Sequence, residues 1–177
     1  MKIIKIIVVG IVAISALLLI IALFLPKDYT VSQSIIINRS QVDVFNYVKM
    51  IDNQKYYSIW VMEDPNSLIT TKGTDGNVGY VSAWDSQNKN VGKGEQEITK
   101  ISNERIDVDL RFERPFKSEA KAATTCKAID ANSTEVINEF FGHSAYPMNL
   151  MTFFMKGMLG DAMKQNLTNL KGILEKK

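Results

Sequence analysis

The sequence predicts an α+β protein: one membrane-spanning helix, then a single domain made of an antiparallel sheet of about seven strands and a long carboxy-terminal helix. Three observations carry this. From Ile6 to Leu25 no side chain is charged. Between residues 67 and 143 strand-length segments alternate with polar turns, most clearly at Ile106–Glu113, where Ile106, Val108, Leu110 and Phe112 alternate with Asp107, Asp109, Arg111 and Glu113. That period of two belongs to a sheet buried on one face and wet on the other. After Pro147 the period lengthens, and Met163, Leu167, Leu170 and Leu174 fall on one helical stripe.

Only Gly10 and Ser15 interrupt the apolar run. Twenty residues at about 1.5 Å each make roughly 30 Å of helix, the thickness of a bilayer's hydrocarbon core. The rival reading is a removed secretory signal. Such a signal has an apolar core of only about 7 to 15 residues and a small-x-small cleavage site. Here the run ends in Leu23, Phe24, Leu25 and Pro26, with no such site. The expectation is an uncleaved anchor over residues 1–26, in contact with the bilayer through residues 6–25, and one domain over 27–177. Lys2 and Lys5 precede the helix, whereas Lys27 is followed at once by Asp28. The positive-inside bias puts the amino terminus in the cytoplasm and the domain on the outer, periplasmic or extracellular, side of a single-pass protein.

Composition narrows the function. The net charge of +2 belongs to Lys2 and Lys5; without them 19 basic residues face 19 acidic ones. A neutral domain gives no electrostatic reason to expect a nucleic-acid partner. Cys126 and His143 are the only cysteine and histidine. No internal disulfide can form, and metal sites built on thiolate and imidazole are essentially excluded, though a site built on carboxylates is not.

The elements follow in order. Tyr29–Ile37 reads as a strand with Tyr29, Val31, Ile35 and Ile37 on one face and Thr30, Ser32 and Ser34 on the other. Ser40 caps the helix that follows, Asp43 sits three residues on as the acidic member of a capping box, and Val42, Phe45 and Val48 form its apolar stripe. Asp52 and Asn53 break the pattern, and a second short helical piece carries Tyr56, Tyr57, Ile59 and Trp60. Strands are expected near 67–72, 78–86, 91–101, 105–113, 117–129 and 134–143. Residues 86–90, 102–104 and 130–133 are turns of hairpin length, so consecutive strands are neighbours. The closing helix runs from about Met148 to Leu174. Its first half, with Leu150, Met151, Phe153, Phe154, Met155, Met158 and Leu159, is apolar around most of its circumference and cannot be satisfied by one flat contact.

A strand, two short helices, six antiparallel strands and a long final helix is the order of the helix-grip fold, in which a curved sheet wraps the last helix. The chain resembles the START and Bet v 1-like (SRPBCC) superfamily, and within it the bacterial polyketide cyclase/dehydrase and lipid-transport branch. The resemblance lies in the strand-to-helix junction Ile35–Phe45, in Trp60, in Gly79–Trp84, in Val91–Gly94 and in Pro147–Leu150, and it extends over nearly all of 29–175. Two positions depart from the family pattern: Ser40 stands where a proline is usual, and Tyr56 where a tryptophan is. The resemblance implies a cavity between sheet and helix for a hydrophobic small-molecule ligand such as a lipid, sterol or polyketide. It implies no reaction, because the superfamily mixes carriers, cyclases and co-chaperone modules.

The residues themselves offer little chemistry. With a hairpin turn at 130–133, His143 lies opposite residue 120, about six residues and roughly 20 Å from Cys126, so no Cys–His dyad forms. Asp107, Asp109 and Glu113 share their row with Arg111 and read as a solvated face. Gly92 and Gly94 have no helix after them to make a phosphate loop and mark a bend or bulge. Met148, Met151, Met155, Met158 and Met163 cluster on the last helix, either as gap-filling core or as the adaptable wall of a pocket. The candidate cavity lining is Trp60, Tyr80, Trp84, Phe112, Phe140, Tyr146, Met151, Phe154, Met155 and Met158. No catalytic residue, metal or cofactor is assigned. The function expected is anchored binding of a lipid- or polyketide-like ligand without chemistry. A cyclase or dehydratase and a protein-interaction module with a vestigial cavity are the rivals.

Overall fold

The computed structural model describes residues 2–176. Helix α1 (Lys2–Phe24) is the apolar run, long and apolar enough to cross a membrane, and of its residues only Ala22 is buried. Strand β1 (Asp28–Ile37) follows, then α2 (Gln41–Val48), a 3-10 turn at Ile51–Tyr56 and the single-turn α3 (Ile59–Met62). Six strands come next: β2 (Leu68–Lys72), β3 (Val81–Asp85), β4 (Lys93–Ile101), β5 (Arg105–Arg114), β6 (Ser118–Asp130) and β7 (Ser133–His143). A second 3-10 turn, Met148–Met151, leads into α4 (Thr152–Leu174). All seven strands form one antiparallel sheet in the order β1-β7-β6-β5-β4-β3-β2, so each hairpin pairs neighbours and β1 crosses to close on β7. This is the helix-grip α+β architecture.

The register sorts side chains by chemistry. Ile106, Val108, Leu110 and Phe112 turn inward, while the outer row is held by ion pairs between strands. Arg105 bonds Asp107 at 2.9 Å and Glu139 at 2.7 Å, Arg111 bonds Glu95 at 2.5 Å and Glu97 at 2.6 Å, and Lys93 meets Glu113 at 2.8 Å. The carboxylates at 107 and 113 thus have basic partners on a wet face. The register shifts between Lys93 and Gly94, beside Gly92 at φ +66°, where the sequence places a bulge.

Two local details differ from expectation. Ser40 Oγ does accept from Asp43 N–H, at 3.2 Å. The buried face of α2 is Val44, Phe45 and Val48, however, and Val42 is exposed. At 100° per residue Val42 lies roughly 110° from the centre of that arc. Asp52 and Asn53 do not break the chain's winding but sit inside the 3-10 turn. The Asp75 carboxylate, from the β2–β3 loop, accepts from Ile51 N–H at 2.8 Å and Asp52 N–H at 3.0 Å. A cap brought from another loop leaves no mark on the local pattern.

The core lies between the sheet and the second half of α4. Leu167, Leu170 and Leu174 join Ile37, Ile98, Cys126 and Val136 in one buried cluster. Polar bonds fix the helix in place: Asn166 Oδ1 accepts from Ile59 N–H (2.8 Å), Asn169 Nδ2 donates to Tyr57 O (3.0 Å), and Arg39 Nε donates to Leu174 O (2.8 Å). Leu167→Ala should therefore cost about 2–5 kcal/mol, whereas Val42→Ala should change stability by less than about 0.5 kcal/mol. Denaturant titration of both variants in micelles, followed by near-ultraviolet circular dichroism, reads the difference.

Candidate functional site

The inward rows converge on a cleft at the end of the sheet where β1 starts and β7 ends. Tyr29 faces Gly142 across β1 and β7, and Trp84 faces Gly94 across β3 and β4. A Cβ on Gly94 would stand 2.7 Å from Trp84 Cζ2, and one on Gly142 would overlap the Tyr29 ring. Each ring therefore leans over the glycine of the next strand, which no larger residue would permit. Tyr29 stacks on Phe140 with centroids 6.2 Å apart, and Trp84 meets Phe112 edge-on at 5.9 Å.

Helix α4 touches this surface with only part of its length. At Gly160 it approaches closely enough that a Cβ would lie 3.2 Å from Gln33 Nε2 and 3.7 Å from Val31 Cγ1. Met163 is buried with Tyr29 and Val31, and Leu159 and Phe140 pack on the same cluster. One turn earlier the contact opens into a cleft of about 770 Å³. Tyr29, Leu110, Ala120 and Gly142 of the inward rows line it, Lys156 lines it from the helix, and the outward-row residues Asp28, Thr30, Asp109, Arg111, Glu119, Lys121, Phe141 and His143 complete it. Lys156 belongs to the stripe Thr152–Lys156–Gly160–Met163, whose spacing of four, four and three points it at the sheet. A smaller hollow of about 380 Å³, lined by Arg39, Asp43, Asn46, Tyr47, Asn53 and Leu174, includes the Arg39 guanidinium that caps α4.

The ten candidate residues fall into three places. Trp84, Phe112 and Phe140 stand half-buried on the concave face beside the cleft. Tyr80 is on the same face but deep in the core, its hydroxyl donating to Asp52 Oδ1 at 2.6 Å. Trp60, Tyr146, Met151, Phe154, Met155 and Met158 are exposed. Sequence reasoning passed over Leu110, Ala120, Gly142 and Lys156 as lining residues. The helical stripe carrying Lys156 was a signal that could have found one of them; the small residues offered none.

The inward rows Tyr29–Ile37, Ile106–Phe112, Ala120–Ala128 and Thr134–Gly142 contain no Asp, Glu, His, Lys or Arg. Their polar members are neutral, as in Thr124 Oγ1 to Asn138 Oδ1 at 3.0 Å. Burial pushes the Tyr57 and Tyr80 phenols above the ordinary tyrosine range, with the hydrogen bond to Asp52 adding to the shift at Tyr80. Burial also pushes the Cys126 thiol up to about 12, so it is not a thiolate nucleophile near neutral pH. Cys126 lies opposite Val136, seven residues along β7 from His143, and His143 Nδ1 instead meets Asp28 Oδ1 at 2.7 Å on the surface. Among the described residues no group of three or more His, Cys, Asp or Glu side chains is placed to hold a metal ion.

No known family model matches the sequence. No curated protein matches it either. Solved structures do. Protein XoxI from Bacillus cereus superposes with a TM-score of 0.61 at 10% identity over 82% of this chain and 94% of its own. Ara h 8.0201 superposes with a TM-score of 0.55 at 12% identity over 85% of this chain and 99% of its own. BexL, a di-domain ARO/CYC protein from the BE-7585A biosynthetic pathway, superposes with a TM-score of 0.60 at 13% identity over 84% of this chain and half of that one. The sheet that grips a long final helix is a Bet v 1-like helix-grip fold. At these identities the likeness is one of fold.

Cys126 supplies a check on the packing of this face. In folded protein at pH 8 it should react with a disulfide reagent only as fast as the domain opens, and stoichiometrically once denatured. Immediate labelling of the folded chain would mean that the thiol is exposed.

Proposed function

We propose that the chain is a membrane-anchored domain, residues 27–177 on an anchor of residues 1–26, that binds a hydrophobic small molecule in the cleft between α4 and the sheet and performs no chemistry on it. The observation that supports this is the concave sheet face beside the cleft, whose inward rows carry rings and small residues without an acid or a base, while the cleft's Asp28, Asp109, Arg111, Glu119, Lys121 and His143 belong to the outward rows. Such a surface suits an acyl or isoprenoid chain, or a polyketide-like one. Lys2 and Lys5 support an amino terminus in the cytoplasm and a domain on the outer side. Tethering raises the effective concentration of membrane ligand at the cleft.

A cyclase acting on a polyketide-like substrate is the second reading, favoured by the likeness in fold to BexL. Such a reaction needs a group that moves a proton near neutral pH. The inward rows supply no carboxylate or imidazole, the buried phenols are shifted away from neutrality, and the acids and imidazole that line the cleft, Asp28, Asp109, Glu119 and His143, stand on the outward rows. These observations favour binding over catalysis.

Photo-crosslinking tests the cleft in the full chain. In nanodiscs containing a phospholipid with a diazirine at the end of its acyl chain, labels should appear on peptides carrying Leu110 and Ala120 as well as on α1. Ala120→Trp, which fills the cleft, should lower the sheet labels by about tenfold or more and leave those on α1 unchanged. Labels confined to α1 in the unsubstituted chain would contradict cleft binding.

A further inference from the structure

A run of exposed apolar side chains, Tyr146, Met148, Met151, Phe153, Phe154, Met155 and Met158, lies beside the end of α1, and the two are bonded together. Asn149, buried in the Met148–Met151 turn, donates through Nδ2 to Ala22 O at 2.7 Å and Leu25 O at 3.1 Å. These carbonyls are at the carboxy end of α1, where the helix offers no donor of its own. Ala22 is only 1% exposed. The turn is thus held at the depth of residues 22–25, the last four of the apolar run. If Ile6–Leu25 fills the hydrocarbon, Ala22 lies about 4.5 Å inside its boundary. A segment hydrogen-bonded there cannot stand off in bulk water.

Apart from Lys156, the large side chains exposed on that turn and the first two turns of α4 are apolar. Phe153 is 81% exposed and Met158 76%, with Phe154, Met155, Met148 and Met151 exposed around them. The sheet's nearby edge agrees. Ala120 pairs with Gly142, and Gly142 with Tyr29, so the β5–β6 turn lies at the end where β1 begins; Phe116 in that turn is 79% exposed. The opposite end, about 30 Å away along β7, closes in the polar turns 102–104 and 130–133. The end tied to the anchor carries Phe116 and the apolar residues of 148–158, and the opposite end closes in polar turns.

We infer that the Met148–Met151 turn and the first two turns of α4 are a second membrane-contact element, set into the acyl–headgroup boundary of the leaflet from which α1 emerges. This rests on the reading of α1 as a spanning anchor. Amphipathic interfacial helices sink about 5–10 Å into that boundary, and the roughly 4.5 Å at Ala22 comes close to the shallow end of that range. The occupant of the exposed patch is lipid, because the patch continues the lipid-facing surface of α1 across a hydrogen-bonded joint. The ligand of the cleft is then a lipid drawn from that leaflet.

Spin labels test the contact in the full chain. A Cys126→Ala background carries one new cysteine at a time, Leu17→Cys, Phe153→Cys, Met158→Cys or Asn132→Cys, in phosphatidylcholine–phosphatidylglycerol nanodiscs. Collision with oxygen, which concentrates in lipid, is compared with collision with a water-soluble nickel chelate. The expected result is that 153 and 158 share the oxygen-rich signature of 17, whereas 132 shows the nickel-rich signature of water. A lipid signature at 17 with a water signature at 153 and 158 would overturn the contact and leave the anchor standing. Shielding of 153 and 158 from both reagents would mean a protein partner or second copy covers the patch, and would overturn it equally. A water signature at 17 would remove the anchor and the inference together.

Discussion

The clamp of α4's second half on the sheet is the constraint on which the rest depends. Leu167, Leu170 and Leu174 share one buried cluster with Ile37, Ile98 and Val136, and Asn166, Asn169 and the Leu174 carbonyl are each hydrogen-bonded to other elements. Burying several large aliphatic side chains, each stabilising by about 1.5–3 kcal/mol, fixes the axis of the helix. With that axis fixed and Gly160 touching β1, the first two turns project beyond the contact. The exposed apolar surface is a consequence of this overhang.

Charge is distributed to match. Arginine and carboxylate pairs occupy the outer face, where each pair is worth little in water but costs nothing to solvate. The inner rows have no charged side chain, and the charges that line the cleft come from Lys156 on the helix and from outward-row residues such as Asp109, Arg111, Glu119 and Lys121.

The sheet was legible because a half-wet strand must alternate, and Ile106–Glu113 does so over four full periods. The closing helix was legible from its stripe. The 3-10 turn at Ile51–Tyr56 was not, because its cap, Asp75, arrives from a loop 24 residues away. The cleft was harder still. A cavity is a lack of volume, and the residues that make it, Gly142 and Ala120, have almost no side chain to read. Large residues drew attention instead, and the winding of α4 turns Phe154, Met155 and Met158 outward from the sheet. The all-round apolarity of residues 150–159 was visible in sequence; the position of α1 beside it was not, since Asn149 joins parts of the chain 127 residues apart.

Native mass spectrometry of the full chain, released gently from the producing cell's membranes and followed by lipid extraction, tests the central claim most directly. Binding without chemistry predicts a stoichiometric adduct whose extracted mass is that of an unmodified lipid or isoprenoid. A folded chain that leaves the membrane bare, in every detergent that preserves its near-ultraviolet dichroism, would contradict it.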